Sequence, residues 1–257
     1  MRENKLKTLW ANGGAAMNCW LSLDSSLAAE AMAYCDWDSI TVDMQHSLID
    51  WRSALTMLQA ASQKGAPTLM RVPWLDPAWI MRALDAGAYG VICPMVNTRE
   101  DCEKFVGACR YAPVGYRSWG PVRGMTYGGP DYFQHANDTI VTMAMIETRQ
   151  ALDNLDDILT TPGLDGIYIG PNDLSISLGY SPAYYPDEPE VLEAFKRILE
   201  TALKNDLIPG VHCGSAEMAG EMVKMGFKFC TIQSASKLMV DAANTALTTA
   251  RAIAKNN

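Results

Sequence analysis

The chain has 257 residues, 49% hydrophobic and 19% charged, enough for one large α/β domain with a sizeable buried core. Its formal net charge of −8 argues against nucleic acid or an anionic membrane as the main partner. No apolar run reaches the ~18 residues of a membrane span, and the charged start MRENKLKTLW predicts no secretory leader.

In chain order, residues 3–11 read as a short helix closed by Gly13-Gly14. MNCWLSL (17–23) reads as a first strand, and SSLAAEAMAYC (25–35) as a helix capped by Ser25 or Ser26. SITVDM (39–44) is the second strand, followed by a helix over 52–62 that stops at Lys64-Gly65. PTLMRV (67–72) is the third strand. Asp76 then caps a helix with Pro77 at its first position. YGVICPM (89–95) is the fourth strand, and 98–110 a helix. The stretch 111–130 carries five glycines with Arg117 and Arg123, and reads as an irregular lid or binding loop. After a short helix at 131–136, TIVTMAMI is the fifth strand and GIYIG the sixth. Helical spacing at Leu152, Leu155, Ile158 and Leu159 lies between them, which makes a βαβ unit. A helix over 190–204, strands at 208–214 and 228–234, and a last helix over 237–254 complete the chain.

Eight strand runs alternating with eight helical patterns predict a single (β/α)₈ TIM barrel over residues 1–257, with no linker. The strands are apolar on both faces, as a doubly covered parallel sheet requires. A doubly wound open sheet is the rival, but no GxGxxG turn follows the first strand.

Barrel chemistry sits where the strands end. There the sequence offers Asp43 and His46 after strand two, Arg71 at strand three, Glu147 after strand five, Asp173 after strand six and His212 after strand seven. Glu147 and Asp173 are hard oxygen ligands suited to a divalent cation. Such a cation could chelate a 2-oxo acid and, with Arg71, stabilise a developing enolate while His46 moves the proton. Each residue also has a plain structural reading. Asp173 or Glu147 could cap a helix, Arg71 could pair with a nearby carboxylate, and His46 could be an ordinary loop histidine. No lysine stands at a central strand end for Schiff-base chemistry; Lys237, after strand eight, is the nearest. Trp20, Trp74 and Trp119 suggest an apolar pocket for the second substrate. Seven cysteines without a CxxC pair predict reduced thiols and a cytoplasmic setting.

The stretches VDMQHSLID (42–50), LMRVPWLDPAWIMRALDAGAYGVICPMV (69–96), YRSWGP (116–121), IETRQALDNLDDIL (146–159) and GLDGIYIGPNDLSISLG (163–179) resemble the HpcH/HpaI aldolases, with a looser match at 226–239. The resemblance covers nearly the whole chain. It implies a metal-dependent class II pyruvate aldolase, an aldehyde-lyase that cleaves 4-hydroxy-2-oxo acids to pyruvate and an aldehyde. It implies Mg²⁺ or Mn²⁺, with Co²⁺ as a further option, and a homo-oligomer, commonly a hexamer with its last helix exchanged between subunits. By position it makes Glu147 and Asp173 the metal ligands, His46 the acid–base residue and Arg71 the enolate stabiliser. Backbone amides near Asn172 and Asp173 would hold the substrate carboxylate, and Asp85 would raise the basicity of His46. On proximity alone, Asp43 is a rival to Asp85. Three positions depart from the pattern: Gln45 for a Glu, Met145 for a Gln and Ala235 for an Asp. The alternatives are a CoA-thioester lyase of the citrate-lyase-β type, using Arg117 and Arg123 for phosphates, and a non-catalytic barrel that binds a 2-oxo acid.

Overall fold

The apolar runs form eight strands: β1 Ala16–Leu21, β2 Ser39–Asp43, β3 Thr68–Arg71, β4 Gly90–Cys93, β5 Val141–Ile146, β6 Gly166–Ile169, β7 Ile208–His212 and β8 Phe229–Ser234. Every neighbouring pair is parallel, and β8 returns to pair with β1, closing the barrel. That closure excludes the open sheet. The structure is a computed structural model, described over residues 1–255.

Thirteen helices are described: α1 Lys5–Ala11, α2 Ser26–Ala33, α3 Trp51–Ala61, α4 Pro77–Asp85, α5 Arg99–Cys109, α6 Val122–Gly128, α7 Tyr132–Thr139, α8 Arg149–Asp153, α9 Leu155–Leu159, α10 Pro171–Ser177, α11 Pro189–Lys204, α12 Ala216–Met225 and α13 Ala235–Lys255. Their starts are fixed locally. Ser25, Asp50, Asp76, Thr98, Thr148 and Ser215 each accept a hydrogen bond from a backbone N–H of the following turn. Each such cap is worth about 1 kcal/mol.

Two elements depart from the sequence pattern. The helix expected between β5 and β6 is broken at Asn154 into α8 and α9. The glycine-rich stretch 111–130 contains α6, whose Arg123 donates to the Ala86 carbonyl at the entry to β4. This stretch leads from a helix back into a strand, so it lies at the N-terminal rim and cannot cover the mouth.

Aliphatic side chains between strands and helices form the main core. The barrel interior is a second apolar cluster built from Trp20, Leu69, Ile92, Met143, Met145, Tyr168 and Phe229. A polar chain crosses that interior: Asn18 donates to Thr231 and accepts from Ser39 and Thr41. The first residue of α13 is buried, and its first part meets β1 and β8; beyond that the helix leaves the barrel surface.

Candidate active site

Asp43 and Arg71 are the last residues of β2 and β3, and the register sets them side by side. Arg71 donates from Nε to Asp43 Oδ1 (2.8 Å) and from Nη2 to Oδ2 (2.6 Å). Asp43 also accepts from the backbone N–H of Gln45 and from the Trp20 indole. Burial pushes the Asp43 carboxyl up, but the hydrogen bonds and charge of Arg71 outweigh it and leave the group below its ordinary value. The guanidinium also lies over the Trp20 ring, 4.7 Å from its centroid. Arg71 therefore does pair with a carboxylate, yet only two of its nitrogens are used. Among the described residues, no protein acceptor meets Nη1.

Glu147 follows β5 directly, and the register pairs Ile146 with Ile169, which brings Glu147 beside Gly170. A Cβ at Gly170 would collide with Glu147 Oε2. Glycine here opens the space that the carboxylate fills. Oε1 accepts from the Met95 backbone N–H at 2.8 Å, and Met95 holds φ 53°, an uncommon conformation for a side-chain-bearing residue. The Glu147 carboxyl is pushed up to about 7, first by burial and then by the neighbouring Asp173. Asp173 occupies the first turn of α10, whose N-cap is Gly170 and whose first residue is Pro171. It makes no capping bond. Thr148, not Glu147, caps α8. Neither carboxylate is a helix cap.

A cavity of about 290 Å³ opens at this end, with His46, Arg71, Asn172, Asp173 and His212 on its walls. Glu147 lies deeper, 1% exposed, beneath Gly170. The barrel thus brings together His46, Arg71, Asp173 and Glu147 from four strand ends. A larger cavity of about 440 Å³ lies at the opposite rim, near Lys5, Asp38 and Lys64, away from these groups.

The profile of the HpcH/HpaI aldolase/citrate lyase family matches residues 16–242. A hydroxypyruvate/pyruvate aldolase of Rhizorhabdus wittichii is 42% identical over 97% of this chain and 100% of its own. A 4-hydroxy-2-oxo-heptane-1,7-dioate aldolase of Escherichia coli is 33% identical over 94% of this chain and 92% of its own. A crystal structure of a family protein from Burkholderia cenocepacia superposes with a TM-score of 0.90 at 30% identity, covering 96% of this chain and 99% of that one. The chain belongs to the HpcH/HpaI aldolase/citrate lyase family. It is an enzyme of the aldolase class, a carbon–carbon lyase.

Asp85, by contrast, stands apart from this cluster within the chain. It is the last residue of α4, which runs back toward the N-terminal rim, and it accepts from Arg117 at 2.8 Å. Within one chain it does not reach the mouth. Nor does Asp43 orient the His46 imidazole: its contact is with the His46 backbone N–H, at 3.5 Å. Of the three departures, Gln45 leaves its side-chain oxygen buried without a donor, Met145 packs in the barrel interior, and Ala235 starts α13 buried. Arg117 is bound to Asp85 and Tyr132, and Arg123 to Ala86 and Ser62, so neither is free for CoA phosphates. Lys237 is paired with Asp241 on the exposed face of α13, which leaves it no Schiff-base role. Trp74 and Trp119 are 56% and 54% exposed, and neither lines the cavity, so the expected apolar pocket reduces to Trp20.

Sequence reading missed Gly170 and Met95. The glycine is legible only once β5 and β6 are in register, and the amide is supplied by a loop with no side-chain signature.

Proposed function

We propose that this aldolase makes and breaks the C3–C4 bond of 4-hydroxy-2-oxo acids through the enolate of pyruvate, with Glu147 and Asp173 holding a divalent cation. One observation carries the reading: two carboxylates on adjacent strand ends, close enough for Asp173 to raise the Glu147 pKa, with Arg71 already held by Asp43. Like charges brought together in a low-dielectric site suit a cation between them. Oε2 of Glu147 has no protein donor among the described residues, and Gly170 leaves it space. Among the described residues, no third His, Cys, Asp or Glu joins them there, so the site suits an ion that keeps positions for water and substrate, as Mg²⁺ or Mn²⁺ does; Co²⁺ is a further candidate. Bound there, the ion supplies Lewis acidity to the substrate oxygens.

The chain's own groups do the rest. In cleavage, the C4 hydroxyl loses its proton, the C3–C4 bond breaks, and the electron pair moves to the C2 oxygen of the pyruvate half. Arg71 Nη1 is the positive donor for that oxygen. His46, on the cavity wall, carries the proton and returns it to C3. The N–H groups of Asn172 and Asp173 lie in the first turn of α10, where helix geometry gives them no acceptor, and they suit the substrate carboxylate. Asp85 takes no part in this scheme within one chain.

The chain assembles, on this reading, as a homo-oligomer, a hexamer by resemblance, with α13 against a second copy. Met239, Val240, Leu247 and Ile253 on that helix are 48–64% exposed, an apolar surface that a neighbour would cover. A cytoplasmic setting suits the seven free cysteines. Among the described residues, no helix is long and apolar enough to cross a membrane.

The test is exchange of pyruvate methyl protons with D₂O, followed by NMR. Exchange is expected with Mg²⁺ or Mn²⁺ and should stop on chelation. A metal-loaded protein that neither exchanges those protons nor cleaves any 4-hydroxy-2-oxo acid would sink the proposal.

A further inference from the structure

Strands β2 and β3 deliver His46, Asp43 and Arg71, and β5 and β6 deliver the carboxylates. The remaining arc of the mouth, from β7 through β8 to β1, has no part in that chemistry. It carries His212, Ser234, Ser236 and Ser22. The hydroxyl of Ser236 lies 2.9 Å from those of both Ser22 and Ser234. A second cavity of about 360 Å³ opens alongside and shares Tyr184, His212, Ser234 and Ser236 with the first. This arc offers both the room and the polarity for the partner that an enolate attacks.

His212 is the most constrained group on the arc. Its Nδ1 lies 3.0 Å from the Tyr168 hydroxyl, which donates its one hydrogen to Thr231 Oγ1 at 2.7 Å. The Nδ1 contact therefore needs the proton on Nδ1, and Nε2 keeps its lone pair. Trp20 meets the ring edge-on at 5.0 Å, and Tyr184 stacks on it at 5.8 Å. Among the described residues, no protein donor reaches Nε2. Burial, with the charge of Arg71 added, pushes the imidazole pKa down to about 4, so the ring is neutral near pH 7. The mouth thus holds a fixed, uncharged hydrogen-bond acceptor with nothing in the protein to satisfy it.

We propose that this arc is the acceptor side of the site, and that Nε2 of His212 accepts a hydrogen bond from a hydroxyl on the incoming aldehyde, so that α-hydroxyaldehydes are favoured over their unsubstituted counterparts. The inference rests on the enolate reading above. An aldehyde lacking the hydroxyl displaces water from Nε2 and returns no donor, which weakens its transition state relative to the hydroxylated one.

The experiment compares glycolaldehyde with acetaldehyde as acceptors for pyruvate, as the ratio of kcat/KM within each protein. Losses common to both acceptors cancel in that ratio. The wild type is expected to favour glycolaldehyde by roughly tenfold, the scale of one hydrogen bond. The ratio should fall toward unity in His212→Phe, which keeps a ring but no acceptor, and recover in part in His212→Gln. Tyr168→Phe, which removes the group that fixes the tautomer, should lower the ratio as well. A wild type with no preference, or a preference undiminished in both His212→Phe and Tyr168→Phe, overturns the inference. Proton exchange into pyruvate by the wild type separates the two readings. Exchange without hydroxyl preference rejects this inference alone, whereas absence of exchange removes the enolate chemistry beneath it.

Discussion

Asp43 is the residue on which the mouth is tied together. It accepts both arms of the Arg71 fork and the Trp20 indole, and both partners line the same cavity as Asp43 itself. Breaking one side of a buried ion pair typically costs about 3–5 kcal/mol. Asp43→Asn is expected to lose stability on that scale near pH 7, read by urea denaturation. The sign with pH follows from the lowered pKa. The carboxylate's contribution is present above its unfolded value of 3.8 and is lost as pH falls through the lower folded value. The variant should therefore differ most from wild type at neutral pH, and the gap should narrow in acid. A gap that widens in acid contradicts the pairing.

Elements explain what single residues cannot. Glu147 owes its place to the pairing of β5 with β6, and its environment to a glycine just past the neighbouring strand. Gly170 has φ −94°, which any residue adopts, so the need for glycine there is steric rather than conformational. Gly170→Ala is accordingly expected to fold with a near-native circular dichroism spectrum but to displace the Glu147 carboxylate. Mn²⁺ binding, followed by calorimetry, should weaken by roughly 10–100-fold, the range found when a ligand loses its support. Unchanged metal affinity would show that Glu147 is not a ligand. The same scale explains Asp85. It lies on a helix of the correct sequence neighbourhood, but a helix that follows a strand returns to the opposite rim, and its carboxylate meets Arg117 instead.

For the whole molecule, the unsettled surface is α13. Twenty-one residues long, it is buried only at Ala235, while its apolar side chains face outward. That outward apolar stripe is what a second copy would cover in the assembly proposed above. Leu247→Asp places a charge in that apolar stripe. Its expected result is a smaller assembly by light scattering, with the barrel's thermal transition retained. A wild-type protein that is monomeric at micromolar concentration contradicts the assembly proposed here.

By itself the sequence determined the barrel and most of its mouth. Apolar runs of strand length, helix caps such as Asp76-Pro77 and Thr98, and the polar residues just past each run are local signals, read without knowing what lies across the sheet. That was enough to single out His46, Arg71, Glu147 and Asp173. Only the tertiary structure decided that Arg71 grips Asp43, that Gly170 makes room for Glu147, that Asp85 stands at the other rim and that the Tyr168 hydroxyl meets Nδ1 of His212. Each of these depends on register and direction between strands or helices far apart in the chain, and no local pattern of side chains encodes a partner brought alongside by closure of the barrel.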